Sequence, residues 1–466
     1  MRAESGPYRA EDIIRACKGV LVRGEARTSF DAITTDSRDI RKNDLFVPLT
    51  GATFDGHDFL LPALEAGARG SLVDREINRD IFQHLHNIVL IQVQNTLHAL
   101  SDLASAHRSQ YPIPLIAVTG SSGKTTVKEM IAAVLRRSHR PLISQGNLNN
   151  MIGLPMTVLS LGSQHTAAVV EAGINQPGEM DFLARAAAAD VAVITTIGPV
   201  HLEGLKSIEN VAREKFKLAR SLRPEGTAVI PAENEFLEPL AGKVSCRVVT
   251  FGIDRGDFRA EDLTLGRQTR FRMIAPVGDQ DVTLQIHGRH NVANALAAMA
   301  ACVAVGVPLS AGAAALREFR PPSLRMEVLT LSGDRTLIRD CYNANPQSMA
   351  AALEVLATAG SGSKTLALLA DMKELGEQTE KLHSDMGQVA ARLDIDRMVF
   401  VGDFGASFAE GFLAAGGDSR KLTLAADKET AWNIIEPDLA NFGAVLVKGS
   451  RAMRMELIAD RIVQEG

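Results

Sequence analysis

Residues 113–130, IPLIAVTGSSGKTTVKEM, restrict this chain more than any other stretch. An apolar run, Ile113 to Val118, meets a short Gly/Ser loop, then Lys124-Thr125-Thr126, then a helix-like pattern. Strand, loop and helix in that order predict a parallel α/β sheet with a phosphate-binding turn at a strand's carboxyl end. Glycines let the backbone approach a phosphate, and a helix N-terminus offers free N–H groups and a partial positive charge. The loop residues Gly120, Ser121, Ser122, Gly123, Lys124, Thr125 and Thr126 are the predicted nucleotide cradle. Lys124 would neutralise the β- and γ-phosphates, and the Thr125 hydroxyl would hold Mg2+. A plain turn of small residues is the alternative, but it gives no reason for GKTT between a strand and a helix. The common P-loop has a glycine where this chain has Val118, which argues against ordinary GTPases and most kinases.

The pattern on either side divides into three α/β blocks. Residues 1–111 mix short β-like runs (DLFVPL, NIVLIQV) with helical ones (LLPALEAGA, LHALSDLASAHR). The prolines of Tyr111-Pro112-Ile113-Pro114 resist both helix and central strand, and mark a linker. Residues 112–321 alternate strand and helix (PLIAVTG, VKEMIAAVLRR, AAVVEAG, MDFLARAAAA, DVAVITTIG), the rhythm of a doubly wound parallel sheet. Two later runs, TRFRMIAP and DVTLQIHG, read as antiparallel strands. A second linker, Arg320-Pro321-Pro322-Ser323, precedes the α/β block 322–466, with strands in RTLIRDCY, KTLALLADM, RMVFVGD and AVLVKGS. Two doubly wound domains in tandem place a site in the cleft between them, outside the strands' carboxyl ends.

Composition removes several function classes. A formal charge of −5 without a basic run argues against nucleic-acid binding. Cys17, Cys246, Cys302 and Cys341 are too scattered for a zinc ribbon or a disulfide framework, which fits a reducing compartment. The charged start, MRAESGPYRAEDIIRA, has no apolar core of a signal peptide, so a cytoplasmic protein is expected. Residues 292–309 are nearly all apolar, but Asn294, Gly306 and Pro308 make this a buried helix rather than a membrane span.

The form TGSSGKTT resembles the phosphate loop of the Mur ligase family, which includes folylpolyglutamate synthases. Gly146-Asn147-Leu148-Asn149-Asn150 and the run from Val170 to Glu179, VEAGINQPGE, are similar to further motifs of that family. HLEGLKS, GRHNVANALAA, DCYNANPQSM, ADMKELG and VKGSR follow in the family's order. They resemble the branch that joins D-alanyl-D-alanine to UDP-N-acetylmuramoyl-tripeptide. TTDSRDIRKNDLFVPLTGATFDGHDFL resembles the uridine-nucleotide-binding domain of that branch. The branch adding the third peptide residue carries a DNPR-like motif where this chain has YNANP, and folylpolyglutamate synthases lack the first domain.

The resemblance implies three domains: a small uridine-nucleotide-binding domain, a central ATPase-like domain and a Rossmann-like third domain. It implies a chemistry in which ATP turns a carboxylate into an acyl phosphate that an amine then attacks. Glu171 ends an apolar strand and by itself could be a surface charge or cap; the resemblance makes it a metal ligand with Thr125. His201 follows the strand DVAVITTIGPV and alone reads as a hydrogen-bonded structural residue; in the family it binds a second Mg2+. Lys215 in VAREKFKLA reads as part of a charged helix face; in the family a lysine here is carbamylated and joins the metal site. The motif departs from the family at Lys217, where an acidic residue is common. Asn291, otherwise a helix cap, would contact adenine; Arg325, otherwise a hinge salt bridge, would reach the ATP phosphates; Asp340 would touch the ribose. Asn147 and Asn150 would face substrate. Asn343, Asn345, Asp371, Glu374 and Leu375 would line the dipeptide end of the cleft. Ser37, Arg38, Thr50, Gly51, Asp55 and His57 would hold the uridine diphosphate. Lys124, Glu171, His201 and Lys215 form the expected catalytic set, in a protein expected to be a monomer. A sister enzyme with another amino donor, or a binding protein that kept the fold, are the rival readings.

Overall fold

The computed structural model describes residues 1–465 apart from 52, 79–81, 83, 267 and 360–361. Its first lobe is a six-stranded sheet ordered Arg2–Ala3, Ile33–Thr34, Leu45–Phe46, Gly70–Val73, Val89–Gln92, Val20–Arg23. The inner pairs are parallel and both edges antiparallel. Helix α1, Thr96–Arg108, begins where the Asn95 side chain accepts the His98 N–H, a standard N-cap. This helix fastens the first lobe to the central one. Ser101 Oγ donates to the Phe182 carbonyl at 3.0 Å, and His107 Nε2 lies 2.8 Å from the Leu161 carbonyl. The Arg108 guanidinium pins the predicted linker by donating to the Ile113 carbonyl at 2.7 Å and to Asp190 at 2.8 Å.

The central sheet comprises β1 (Leu115–Thr119), β2 (Pro141–Ile143), β3 (Ala167–Glu171), β4 (Val191–Ile194), β5 (Thr227–Pro231) and β6 (Arg247–Phe251). Its order is β2-β3-β1-β4-β5-β6, with every pair parallel. All residues of β1, β3 and β4 are buried, as expected where helices cover both faces and the strands are unbroken apolar runs. Alternation divides β1 between two cores. Ile116 and Val118 join Val127 and Met130 of α2 (Lys124–Leu135), while Leu115 and Ala117 join Leu183 and Phe216 on the opposite face. Phe216 belongs to α3, Ile208–Arg220. A three-stranded antiparallel sheet (Arg259–Thr264, Thr269–Ala275, Gly278–Leu284) follows, and its last two strands pair antiparallel as those two runs predicted. The Ala-rich run becomes α4, Arg289–Ala304, largely buried. No described helix is long and apolar enough to cross a membrane.

The third lobe contains β7 (Glu327–Leu331), β8 (Arg335–Asp340), α5 (Pro346–Ala359), β9 (Thr365–Ala370), β10 (Arg397–Val401), β11 (Leu422–Ala425) and β12 (Ala444–Lys448). The sheet runs β7-β8-β12-β9-β10-β11, parallel except for the edge strand β7. The lobe rests on the central one near the phosphate loop. Gln347 donates to the Ile197 carbonyl at 3.0 Å, and Asn345 donates to the Ser121 carbonyl at 3.4 Å. The carboxyl ends of the two parallel sheets therefore face one cleft.

Candidate active site

The turn between β1 and α2 is shaped by two glycines. Gly120 has φ +149°, and a Cβ there would lie 1.9 Å from the Thr195 hydroxyl. Gly123 has φ +80° and approaches the Asn294 side chain so closely that a Cβ would meet its oxygen at 2.5 Å. A residue with a side chain fits neither position. Gly123 also occupies the N-cap of α2, and no side chain caps the helix. The first N–H groups of α2 are thus left for an anion. The loop is held from behind: Ser121 N–H donates to the Thr196 carbonyl at 2.8 Å, Ser121 Oγ to the Gly198 carbonyl at 3.1 Å, and Thr195 Oγ1 to the Ser122 carbonyl.

Above this turn lies a cavity of about 720 Å3 between the central and third lobes. Its walls include Ser121–Thr126, Asn147, Asn150, Glu171 and His201 on one side. Asn291 also lines it, with Arg325, Asp340, Asn343 and Asn345 across the cleft. Most of the predicted nucleotide and metal residues therefore share one space. Glu171 is 3% exposed at the end of β3, and its two oxygens are separately engaged. Thr125 Oγ1 donates to Oε2 at 2.7 Å, and Asn149 Nδ2 to Oε1 at 2.8 Å.

Lys215 faces the same region from α3. It is fully buried, and its Nζ has no hydrogen-bond partner. Burial, reinforced by the charge of Lys124 and opposed by Glu171, holds its pKa well below the usual lysine value. Lys217, two residues on, points away and pairs with Asp181 at 2.7 Å and Glu214 at 2.6 Å. Lys124 donates to the Gly120 carbonyl at 3.0 Å. Its pKa is lowered by burial, while Glu171 and Glu374 pull the other way.

Among the described residues, no three of His, Cys, Asp and Glu come together as a metal cluster. The oxygens and nitrogen available to a cation are those of Thr125, Glu171 and His201. Lys215 would add to them only if its amine carried a carboxyl group. A buried, unpartnered amine whose pKa is pushed down by burial fits that modification, because the neutral amine is the form that reacts with CO2.

Some predicted residues have other duties. Asn291 is not the cap of α4, whose N-cap is Gly288; its Nδ2 donates to the His287 carbonyl at 2.8 Å and its Oδ1 accepts from Asn294. Asn150 Oδ1 accepts the Gly153 N–H at 2.8 Å and so shapes its own turn. Asn345 Oδ1 accepts the Ser348 N–H at 2.9 Å at the start of α5. The Arg325 guanidinium lies 3.9 Å from the centroid of the Tyr342 ring rather than in the alternative hinge salt bridge. Asp371 is wholly buried, receiving N–H groups of Asp403 and Phe404 at 3.1 Å and the Lys373 ammonium at 2.8 Å. Neither Asp371 nor Leu375, 1% exposed, is on the cavity wall. Glu374 reaches His201 instead, at 2.5 Å from Nδ1.

The first-lobe candidates lie outside the large cavity. Asp55 is their hub: Oδ1 accepts the His57 N–H at 2.9 Å, lies 2.8 Å from His57 Nδ1, and accepts the Thr50 hydroxyl at 3.4 Å. Arg75 pairs with its other oxygen at 2.5 Å. These hydrogen bonds, chiefly the one from the His57 backbone, depress the Asp55 pKa to about 2. Gly51 N–H donates to the Phe54 carbonyl at 2.9 Å, while Ser37 and the exposed Arg38 sit in a separate turn, Arg38 paired with Asp36 at 2.8 Å.

Sequence reading passed over Asn149 and Lys448. Lys448 ends β12, is 1% exposed, and donates to Asp340 Oδ2 at 2.5 Å and to the Asn343 carbonyl at 3.2 Å. It therefore fixes two of the predicted residues at once. Its signal was a lysine closing a fully apolar run, where a solvated charge is out of place.

Three stretches match family descriptions: residues 29–108 "Mur ligase family, catalytic domain", 118–302 "Mur ligase middle domain" and 324–451 "Mur ligase, glutamate ligase domain". The UDP-N-acetylmuramoyl-tripeptide–D-alanyl-D-alanine ligase of Escherichia coli is 36% identical over 455 residues, covering 96% of this chain and 97% of the relative. The crystal structure of MurF from Acinetobacter baumannii superposes with a TM-score of 0.90 at 32% identity, covering 99% of this chain and 100% of that one. The MurF ligase of Thermotoga maritima in complex with ADP gives 0.82 at 26% identity, covering 93% and 97%. A phosphate turn with its helix uncapped, the Thr125–Glu171 pair, the buried Lys215 and similarity along the whole length agree: this chain belongs to the Mur ligase family.

Proposed function

We propose that the protein joins D-alanyl-D-alanine to UDP-N-acetylmuramoyl-tripeptide, converting ATP to ADP and phosphate and producing the pentapeptide precursor of peptidoglycan. The observation that carries this reading is the single cavity in which the open N-terminus of α2, the Thr125–Glu171 pair and His201 meet residues of the third lobe. A carboxylate is too electron-rich to react with an amine in water at a useful rate. Its attack on the γ-phosphorus of ATP gives an acyl phosphate and releases ADP. The amine then adds to the acyl carbon, and the tetrahedral intermediate expels phosphate. Most of the rate gain in such a reaction is positioning and charge stabilisation.

In this reading the loop Gly120–Thr126 cradles the phosphates and Lys124 balances their charge. Asn291, Arg325 and Asp340 hold the nucleotide from the two sides of the cleft. Thr125, Glu171, His201 and a carbamate on Lys215 would hold Mg2+, which neutralises phosphate charge during transfer. Residues 1–111 bind the uridine nucleotide around Asp55 and His57, 112–321 bind ATP, and 322–466 carry the dipeptide end through Asn343 and Asn345. The protein works as a cytoplasmic monomer.

The test is phosphate release from ATP and Mg2+ with UDP-N-acetylmuramoyl-tripeptide and D-alanyl-D-alanine, each omitted in turn. We expect release only with both, and a product heavier by the dipeptide less water. Release with a different amine would make the protein a sister enzyme with the same chemistry. Silence with every pair would leave a binding protein.

A further inference from the structure

His201 and Glu374 are separated by 173 positions and belong to different lobes, yet the Glu374 carboxylate lies 2.5 Å from His201 Nδ1. Both residues have left-handed backbones, φ +53° for His201 and +65° for Glu374. Non-glycine residues adopt this conformation at a cost, and two that face each other across a cleft mark a contact that the surrounding structure enforces. The neighbouring turns enforce it. Gly376, at φ +59°, lies so close to the backbone of Glu203 that a Cβ would be 3.2 Å from its Cα. His201 immediately precedes the short helix Leu202–Leu205, whose carboxyl end is fixed by the Lys206 N–H bonding back to the Leu202 carbonyl at 2.9 Å. Glu374 also lies within the electrostatic reach of Lys124.

A carboxylate that accepts the Nδ1 proton fixes a histidine's tautomer and leaves Nε2 as the nitrogen with a free lone pair. We propose that Glu374 is a positioning residue for His201: when the third lobe docks, its carboxylate takes the Nδ1 hydrogen bond and orients the imidazole so that Nε2 is presented to the metal site of the central lobe. Lobe closure and metal binding are then coupled, and each favours the other. This inference rests on the reading of His201 as a metal ligand. It moves Glu374 from the dipeptide contact suggested by its motif to the support of that ligand.

The experiment is a Mn2+ titration by EPR of the whole protein with a non-hydrolysable ATP analogue, the analogue alone serving as blank. Wild type, His201→Ala, Glu374→Ala, Glu374→Gln and the His201→Ala/Glu374→Ala pair are compared. We expect Glu374→Ala to weaken the protein-dependent Mn2+ binding about tenfold, the usual scale for losing a ligand's carboxylate partner. Glu374→Gln, whose amide oxygen still accepts from Nδ1, should recover part of it. The double variant should be no weaker than His201→Ala alone. In turnover assays Glu374→Ala should raise the Mg2+ concentration for half-activity and leave the KM for the dipeptide within about twofold, a split that a dipeptide contact would not give. If only His201→Ala shifts the titration, Glu374 does not position it and the proposal falls. If neither single variant shifts it, the metal role of His201 falls first. The Glu374 side chain is half exposed, so its substitutions are expected to leave folding intact, which an unchanged melting temperature would check.

Discussion

At Lys215 burial and a neighbouring cation act in the same direction, and the amine is pushed toward its neutral form. The shift is a lowering, which sets the sign of its effect on stability. Between the lowered value and the ordinary 10.5, the unfolded chain holds the proton and the folded protein does not. Stability therefore rises with pH across that window, and the buried amine is a cost below it. Reaction with CO2 consumes the neutral amine, releases a proton and supplies a carboxylate in its place. We expect bicarbonate at about pH 8 to raise the melting temperature of the wild type, and to leave Lys215→Met unmoved. Lys215→Met should fold at least as well as the wild type and lose about a hundredfold or more in turnover, the scale of losing one preorganised charge. Acetate should restore part of the activity of Lys215→Ala, since it can occupy the vacated space with a carboxylate. Bicarbonate-independent melting of the wild type would remove the carbamate from this account.

At the level of the element, the strand–turn–helix unit β1–α2 is tightly constrained. Gly120→Ala would force a Cβ against the Thr195 hydroxyl at 1.9 Å while keeping φ near +149°. We expect it to destabilise the protein by about 1–3 kcal/mol, the range for a residue held in a disfavoured backbone region. Nucleotide binding should be lost with it, read by thermal denaturation and by calorimetry with ADP. This unit was legible because its determinants are local: an apolar run, two glycines and the onset of helical spacing. The three α/β blocks were legible for the same reason, and their strands appear where apolar runs predicted them. What escaped were facts of facing. Three asparagines within four positions, Asn147, Asn149 and Asn150, do not reveal that Asn149 is the one that turns to Glu171. Lys128, 1% exposed, sits in a helical pattern where lysine normally means a solvated face. The double duty of Asn345 was half visible, because Asn before Pro346 is a helix-start signal, whereas its reach to Ser121 depends on another lobe.

For the whole molecule, the lobes are joined unequally. The first is fixed to the central one by α1 and by Arg108, which binds the linker itself and Asp190. The third touches the central lobe through few polar contacts, among them Asn345 to Ser121, Gln347 to Ile197 and Glu374 to His201. Motion should therefore be concentrated at residues 320–323, with the first two lobes moving as one body. Small-angle scattering should show the radius of gyration falling toward that of the arrangement described here when an ATP analogue and both substrates are added. No compaction would argue against a closing third lobe. The cavity has walls from both sides of that hinge and is not complete on either alone. If products formed inside it leave by a swing of one wall through solvent, that swing meets the drag of the surrounding liquid. If opening limits turnover, kcat will fall in proportion to relative viscosity as sucrose is added, while the equilibrium dissociation constant for ADP stays constant. The pace of this ligase would then be set by friction on a moving lobe, and chemistry at the phosphate loop would be the faster event.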